Sequence, residues 1–417
     1  MFHVVPAPAA DSAPADVPPA PVRLPLGTVL REWGRIGCVG FGGPPAHVAL
    51  LRELCVERRR WLTAEEFEHG VAATNLLPGP ASTQLAIYCA WRLAGVRGAL
   101  VGGCAFIVPG LVLIIALAAV FLGAPPDWVR GVGAGAGAAV AAVAVQAGVS
   151  LMGPSLARAS APSASATPPS PRVPSARTRW LAYVLAGGAA AALVGPWLVA
   201  VLLACGVVEL VWRRGLPGRG AAALSPAPLA ALVLAAAGTG GLAALAWTAL
   251  KVGALSYGGG FVIIPLMQAD AVDHHGWMTA GEFTGAVALG QATPGPVVQT
   301  VAVVGYAAHG LAGALLAAFV AFAPSFWFIG LGARRFDRLR TDAGPQAFLA
   351  GAGPAAIGAI VGSAIPLAQA LTETWQLAVL ALAAVLLLAL RRGVVLTLLL
   401  AALAGALAAL AGAPLPS

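Results

Sequence analysis

Charge is what this chain has little of. Only 10% of its 417 residues are Asp, Glu, Lys or Arg, while 59% are hydrophobic, so it lacks the polar surface that a soluble protein of this length shows to water. It is equally short of chemistry-bearing cysteine. Its five cysteines, Cys38, Cys55, Cys89, Cys104 and Cys205, form no CxxC pair and no metal-type spacing with the histidines. That argues against redox or metal chemistry and for small apolar packing residues. A phosphate-binding Gly-rich loop ending in Lys and Ser or Thr is missing too, so nothing points to nucleotide hydrolysis. The formal charge of +8 comes from arginines in short clusters between apolar runs, not from an interleaved basic face of the kind that binds nucleic acid.

What is present is apolar sequence in long runs, among them 111–121, 181–208, 229–250 and 377–390. Several are long enough to cross a hydrocarbon core. A transmembrane barrel would need alternating apolar and polar residues, and these runs are continuous. The fold class expected is therefore all-α, a polytopic membrane protein. The stretch 1–24, rich in Pro, Ala and Asp without a charged start and apolar core, reads as a disordered tail and not a cleaved signal.

Aligned against itself, the chain repeats. Phe41, Gly42 and Gly43 meet Tyr257, Gly258 and Gly259 at an offset of 216 (257 − 41), and the same offset pairs Arg35 with Lys251, Trp61 with Trp277, Thr63 with Thr279, Glu66 with Glu282 and Pro78-Gly79-Pro80 with Pro294-Gly295-Pro296. One residue is then lost, and an offset of 215 pairs Gln84 with Gln299, Gly95 with Gly310 and Pro109 with Pro324. Two homologous halves follow: 25–220, containing a Ser, Pro and Arg-rich flexible cytoplasmic loop at 153–179, and 221–417, beginning with a connecting helix at 229–247. Loop charge assigns orientation, because Arg and Lys collect on the cytoplasmic side. Arg52, Arg58, Arg59 and Arg60 precede Trp61, whereas Asp270, Asp273, His274 and His275 precede Trp277. After Pro109 and Pro324 the signs swap, with Asp127 and a lone Arg130 in one half and Arg334, Arg335, Arg338 and Arg340 in the other. This pattern predicts halves in inverted orientation, an inside amino terminus and an outside carboxyl terminus. Arg92 and Arg97 are basic like the loop before Pro78, which makes the Pro-Gly-Pro segment re-entrant. Inverted repeats with broken helices are a secondary-transporter plan.

Proline and glycine inside apolar helices free backbone groups that lipid does not tolerate unless protein or a water-filled cavity covers them. Half-helices beginning after Pro80 and Pro296 would turn free amides and a positive dipole end toward an anion, and Gly42, Gly43, Gly258, Gly259 and Gly260 would add amides from a nest. Gly79 and Gly295 sit in the Pro-Gly-Pro turns. Arg35 and Lys251, at matched places, either face the anion or snorkel to the interface. Gln84 and Gln299 either donate to an oxyanion or bond helix to helix, and Ser82 is a weaker candidate. Glu66 and Glu282 are repeated acids, which suggests proton carriers, but Thr63 to Glu66 and Thr279 to Glu282 spell capping boxes. His47 is the one group near a glycine cluster that titrates near neutrality, and it has no partner in the second half.

On Phe41-Gly42-Gly43-Pro44 with Tyr257-Gly258-Gly259-Gly260, the Trp-Leu/Met-Thr segments and the paired Pro-Gly-Pro elements, the chain resembles the chromate transporter family, in its long two-domain form. The resemblance implies a multi-pass protein of the bacterial inner membrane that exports chromate, confers chromate resistance and uses the proton-motive force, with protons as coupling ion, no cofactor and no catalytic residues. Some relatives are associated with sulfate, a similar tetrahedral dianion, so a sulfate or other oxyanion carrier stays open, as does a homodimer. A chromate reductase would need cysteine pairs or a cofactor motif, and a channel fits inverted halves less well. Pro44 and Pro45 after two glycines depart from the family's uninterrupted glycine cluster, which puts symmetric use of the two halves in doubt.

Overall fold

The computed structural model describes residues 23–75, 77, 79–123, 125–160, 175–193, 198–214, 241–256, 263–332 and 343–416. Every regular element among them is a helix. In chain order these are α1 (Leu26–Val39), α2 (Gly43–Arg52, continued by a π-helix, Glu53–Arg58), α3 (Ala64–Thr74), α4 (Ala81–Phe121), α5 (Asp127–Ser160), α6 (Ala176–Leu193) and α7 (Leu198–Arg214). Then follow α8 (Leu242–Leu255), α9 (Ile263–Gln268, continued by a π-helix, Ala269–His274), α10 (Ala280–Ala292), a 3-10 turn (Val297–Gln299) leading into α11 (Thr300–Gly332), α12 (Ala343–Gly362), α13 (Ala364–Gln369), α14 (Thr374–Ala384, continued by a π-helix, Val385–Ala389) and α15 (Val394–Leu410).

Four stretches, 81–121, 127–157, 297–330 and 344–369, are long and apolar enough to cross a membrane, and 242–255, 374–389 and 394–410 are shorter apolar helices. Large apolar side chains stand exposed on the outer helix faces, with Leu185 at 70%, Phe319 at 74% and Leu410 at 73%. Water would not tolerate so much contiguous apolar surface, and lipid does.

Backbone features recur at the spacing of the sequence repeat. The π-helices Glu53–Arg58 and Ala269–His274 are each followed two residues on by a left-handed residue, Arg60 (φ 50°) and Gly276 (φ 59°). Within α4 the helix breaks at Ala94 and Gly95 (φ 65°, ψ −157°), and within α11 at His309 and Gly310 (φ 60°, ψ −150°). Only glycine takes that left-handed, extended conformation without a steric penalty. Each long helix is therefore two helices folded back on one another: a Cβ on Gly102 would meet the Ala90 side chain, and Gly305 and Gly313 lie backbone against backbone across the other break. The inner arm, 81–93, extends only about 20 Å, too short for a hydrocarbon core of about 30 Å. It packs antiparallel on α3, with Gly70 against Tyr88 and Glu66 ion-paired to Arg92.

The halves interlock. Helix α5 packs on α14 and α15 from the far end of the chain, while α12 packs on α6 and α7, and α4 meets α11 in the middle. Glycine makes these contacts close: the backbone of Gly187 abuts Ala355, Gly358 abuts Val184, Gly351 abuts Cys205, and Gly131 and Gly135 abut Gly405 and Ala401. Such small-residue seams are how helices associate when lipid removes the hydrophobic drive between them.

One expected boundary differs, and two others fall largely outside the described residues. The loop at 153–179 is shorter than its composition suggests, because α5 stays helical to Ser160 through Pro154 and α6 starts at Ala176. Trp180 Nε1 donates to the buried Ser155 Oγ at 3.0 Å, which ties the two helix ends together; residues 161–174 lie outside the described residues. Of the connecting helix expected at 229–247, residues 229–240 lie outside the described residues and 242–247 open α8. Of the tail at 1–24, only Arg23 and Leu24 are described, and the Leu24 amide donates to the Leu93 carbonyl at 2.9 Å, so the chain is anchored there.

Two predictions follow from this packing. Gly187→Val places methyl groups on the Ala355 carbonyl and should lower stability by about 1–3 kcal/mol, read as a fall in thermal midpoint in detergent micelles, whereas Gly153→Ala, with open space around it, should change little. Thr279→Ala, which removes the hydroxyl that accepts from the Glu282 amide at 3.2 Å, should cost about 1 kcal/mol; an unchanged midpoint would remove the cap from the account.

Candidate functional site

The candidate site lies where the two halves cross. After α3 the chain turns at Gly79 (φ 119°) and after α10 at Gly295 (φ 101°), in each case between prolines. The first turn releases α4 directly at Ala81, with Pro80 as its N-cap and no side-chain cap. The second passes through the 3-10 turn before α11 starts at Thr300. Each turn lies on the other half. A Cβ on Gly79 would lie 3.3 Å from the Gly253 carbonyl oxygen of α8, and the Gly295 amide donates to the Gly40 carbonyl, at the end of α1, at 3.0 Å.

The glutamines follow these turns. Gln299 is buried, its Nε2 donates to the Ile107 carbonyl of α4 at 2.9 Å, and its Oε1 has no hydrogen-bond partner. Gln299 thus reaches α4 two residues before Pro109, whose missing N–H leaves the nearby Ala105 carbonyl without its usual helical donor. Gly110 is needed beside it, since any side chain would overlap the Pro294 carbonyl and crowd Gln299. Gln84 is also buried and packs against Gly79, with Nε2 2.5 Å from where a Cβ would stand. Thr83 Oγ1, Ser256 Oγ at the end of α8, and Ser325 Oγ, which follows Pro324 as Gly110 follows Pro109, are buried and unpartnered. Buried polar atoms without partners are costly and rare. Thr83 and Gln299 stand just after the two Pro-Gly-Pro turns, where polar groups are thus kept for something other than packing.

Ser82 and His47 belong to the same crossing. His47 Nδ1 lies 3.2 Å from Ser82 Oγ, its Nε2 lies 2.9 Å from the Gly40 carbonyl oxygen, and its ring meets Phe106 edge-on with centroids 5.0 Å apart. Gly42 (φ 97°) and Gly43 (φ 72°) are consecutive left-handed residues that open α2, and a Cβ on Gly43 would lie 3.8 Å from Val297 Cγ2. Pro44 and Pro45 follow at the start of that helix; lacking N–H groups, they leave this turn fewer donors than a glycine run would. The matching cluster, Gly258, Gly259 and Gly260 after Tyr257, lies outside the described residues.

The expected cations are not brought to the crossing. Arg35 is exposed on α1. Lys251 is held by Asp270 in an ion pair, lies over the Trp247 ring, and shares Asp270 with Thr248 Oγ1, which donates to Oδ2 at 2.8 Å. Sequence reasoning missed Asp270 as a partner because it counted the residue as loop charge. The repeat carried the signal, for an acid stands here where the first half has Leu54. Nor do Glu66 and Glu282 reach the crossing. Both form full capping boxes, and Glu66 also pairs with Arg92 at the hairpin mouth. Partial burial pushes the Glu66 carboxyl up, but the Thr63 amide and Arg92 outweigh it and hold it below the usual carboxylate range.

The arrangement presents dipoles and amide donors to a buried crossing without a fixed countercharge among the described residues, a chemistry suited to holding an anion reversibly. Because its pKa is depressed, the stabilising contribution of Glu66 is present above its unfolded value and is lost as pH falls through the folded one. Acidification through the lower carboxylate range should therefore loosen α3 from 81–93, seen as faster amide exchange in both segments. Unchanged exchange in Glu66→Gln at neutral pH would contradict the role given to the pair.

The family model described as chromate transporter matches residues 27–210 and 243–408. The chain is 31% identical over 392 residues to the chromate transport protein of Cupriavidus metallidurans, covering 92% of each. It is 29% identical over 381 residues to that of Pseudomonas aeruginosa, covering 88% of this chain and 86% of the relative. It is 28% identical over 345 residues to a probable chromate transport protein of Synechococcus elongatus, covering 80% and 82%. No solved structure matches.

Proposed function

The chain belongs to the chromate transporter family, and from that premise we propose that it exports chromate from the cytoplasm, driven by the proton-motive force, and thereby confers chromate resistance. The observation that carries this reading is the set of hydroxyls buried without a partner, Thr83 after the first Pro-Gly-Pro turn, Ser256 at the end of α8 and Ser325 after Pro324, each able to donate. A tetrahedral dianion needs several short donors converging on it, and two interrupted helix starts supply them. Nothing in the sequence resembles a nucleotide-binding loop, which supports a gradient as the energy source and a transporter in place of an enzyme.

In this reading the halves 25–220 and 221–417 lie upside down to one another in the bacterial inner membrane. The loop charges support it, basic at Arg52 to Arg60 and acidic with histidine at Asp270 to His275, as does the recurrence of the same hairpin in each half. The amino terminus is then cytoplasmic and the carboxyl terminus periplasmic. Each Pro-Gly-Pro hairpin is re-entrant from its own side, and the two meet near the midplane, so tilting one half against the other would expose the crossing alternately. Sulfate is the second candidate cargo, favoured by the same uncharged donors, which recognise a tetrahedral dianion by shape.

In inverted membrane vesicles energised to a full proton-motive force, lumen positive, the parent should accumulate chromate, and an uncoupler should abolish the accumulation. Gln299→Leu should lower the initial rate by about tenfold or more, the loss of a hydrogen bond to a charged group being worth about 1.5–3 kcal/mol, while Arg35→Ala should retain most of it. Accumulation of sulfate in preference to chromate would transfer the assignment to sulfate. Absence of both from energised parent vesicles would end the export reading.

A further inference from the structure

His47 joins three elements at the crossing, and its hydrogen bonds specify where its proton sits. The Gly40 carbonyl can only accept, so Nε2, 2.9 Å away, carries the hydrogen of the neutral ring. Nδ1 is then an acceptor, and the Ser82 hydroxyl, 3.2 Å away, must donate to it. The same Gly40 carbonyl accepts from the Gly295 amide of the other half, so the imidazole is one bond removed from both Pro-Gly-Pro turns. It is fully buried, with Phe106 against its edge.

We propose that His47 is the residue through which proton binding and anion binding are coupled, with Ser82 as its relay; this rests on the reading of the crossing as the anion site. A proton arriving at Nδ1 turns that atom from acceptor to donor. Ser82 Oγ must then accept from it, and the hydroxyl hydrogen rotates away from the ring. Two changes follow, both favourable to an anion: the ring gains a positive charge, and Ser82, on the first turn after Pro80, gains a free donor. By linkage the anion raises proton affinity at His47 by the same factor by which the proton raises anion affinity. When the anion leaves, Nδ1 gives the proton back to water and Ser82 resumes donating to it. The proton leaves against its own gradient, so the drive in this scheme is the electrical part of the proton-motive force: the proton and dianion together carry one net negative charge, which an outside-positive membrane potential pulls outward.

Among the described residues no charged side chain competes for this role. Around the ring, α1 presents the Gly40 carbonyl and α4 presents Ser82 and Phe106. The charged residues of the neighbouring elements point elsewhere: Glu32 is taken by Arg31 and Arg59, and Arg52 by Glu57 and Glu68. Arg92 pairs with Glu66, and Arg35, Glu53, Arg58 and Arg97 are exposed. The device exists once. The position 216 residues on is Ile263, also fully buried, so one proton-linked group serves a site built from two halves.

The test is chromate binding by the full chain in lipid nanodiscs from about pH 8 to about pH 6, the range in which a histidine titrates. Chromate changes its own protonation over this range, so the informative quantity is the difference between the parent and His47→Gln, in which that change cancels. The parent should gain about tenfold more affinity than His47→Gln on acidification, within the ordinary range of coupling factors, and Ser82→Ala should fall between them. Should His47→Gln not fold, ring-15N histidine spectra of the parent decide: chromate should convert one histidine from the Nε2–H form to the doubly protonated form. Equal pH dependence in parent and His47→Gln, or no histidine change on binding, would overturn the proposal while leaving the anion site in place. A parent that binds no chromate at any pH would instead sink the transport reading, and the proposal with it.

Discussion

In hydrocarbon an unpartnered backbone group costs several kcal/mol, and this chain interrupts its helices at matched places in both halves, at Gly79 and Gly295 and again at Gly95 and Gly310. The architecture answers that constraint. The Gly295 amide is satisfied by Gly40, whose chain segment belongs to the other half, and Gly79 packs against the Gly253 carbonyl in the same crosswise sense. At Gly295 a broken segment of one half thus takes its backbone partner from the other. The outer helices repeat the logic, with α5 on α14 and α15, and α12 on α6 and α7.

That mutual dependence explains the glycine and alanine content. Backbones must approach closely for a carbonyl of one half to serve a turn of the other, and a Cβ on Gly37 or Gly253 would collide with backbone of the long helix it packs on, at Phe106 and Ala321. These equivalent contacts, 216 and 215 positions apart, hold α1 on α4 and α8 on α11. In lipid such packing stands in for the hydrophobic effect. The same closeness buries the polar groups of the crossing, where dipoles act at low dielectric and an uncharged set of donors can compete for a dianion.

Local features were legible from sequence. The capping boxes at Thr63 and Thr279, the apolar spans and the offset of the two halves all depend on residues near one another in the chain, and a second copy of each pattern removed the ambiguity of the first. Partners across the chain were not legible. Nothing in the order of residues says that Gly40 meets Gly295 or that Asp270 captures Lys251, because those pairings follow from how the halves cross. Arg35 and Lys251 illustrate the difference: they align in sequence, yet one is exposed and the other is neutralised by an acid that its counterpart lacks. The edge of the loop at 153–179 was misjudged for a simpler reason, since Gly153 and Pro154 weaken a helix but the Trp180 to Ser155 hydrogen bond holds it.

The claim on which the account rests is that the glycine turn of the first half lies against the Pro-Gly-Pro turn of the second and that transport needs the two free to part. It is tested most directly by a cysteine pair, Gly43→Cys with Val297→Cys, in a chain whose five native cysteines have been replaced; a Cβ on Gly43 would stand 3.8 Å from Val297 Cγ2. The account predicts that mild oxidation forms the disulfide, that chromate uptake into energised inverted vesicles then stops, and that a reductant restores it. Two cysteines that each react with a thiol reagent but never join, or a cross-linked protein that still transports at the parent rate, would contradict it.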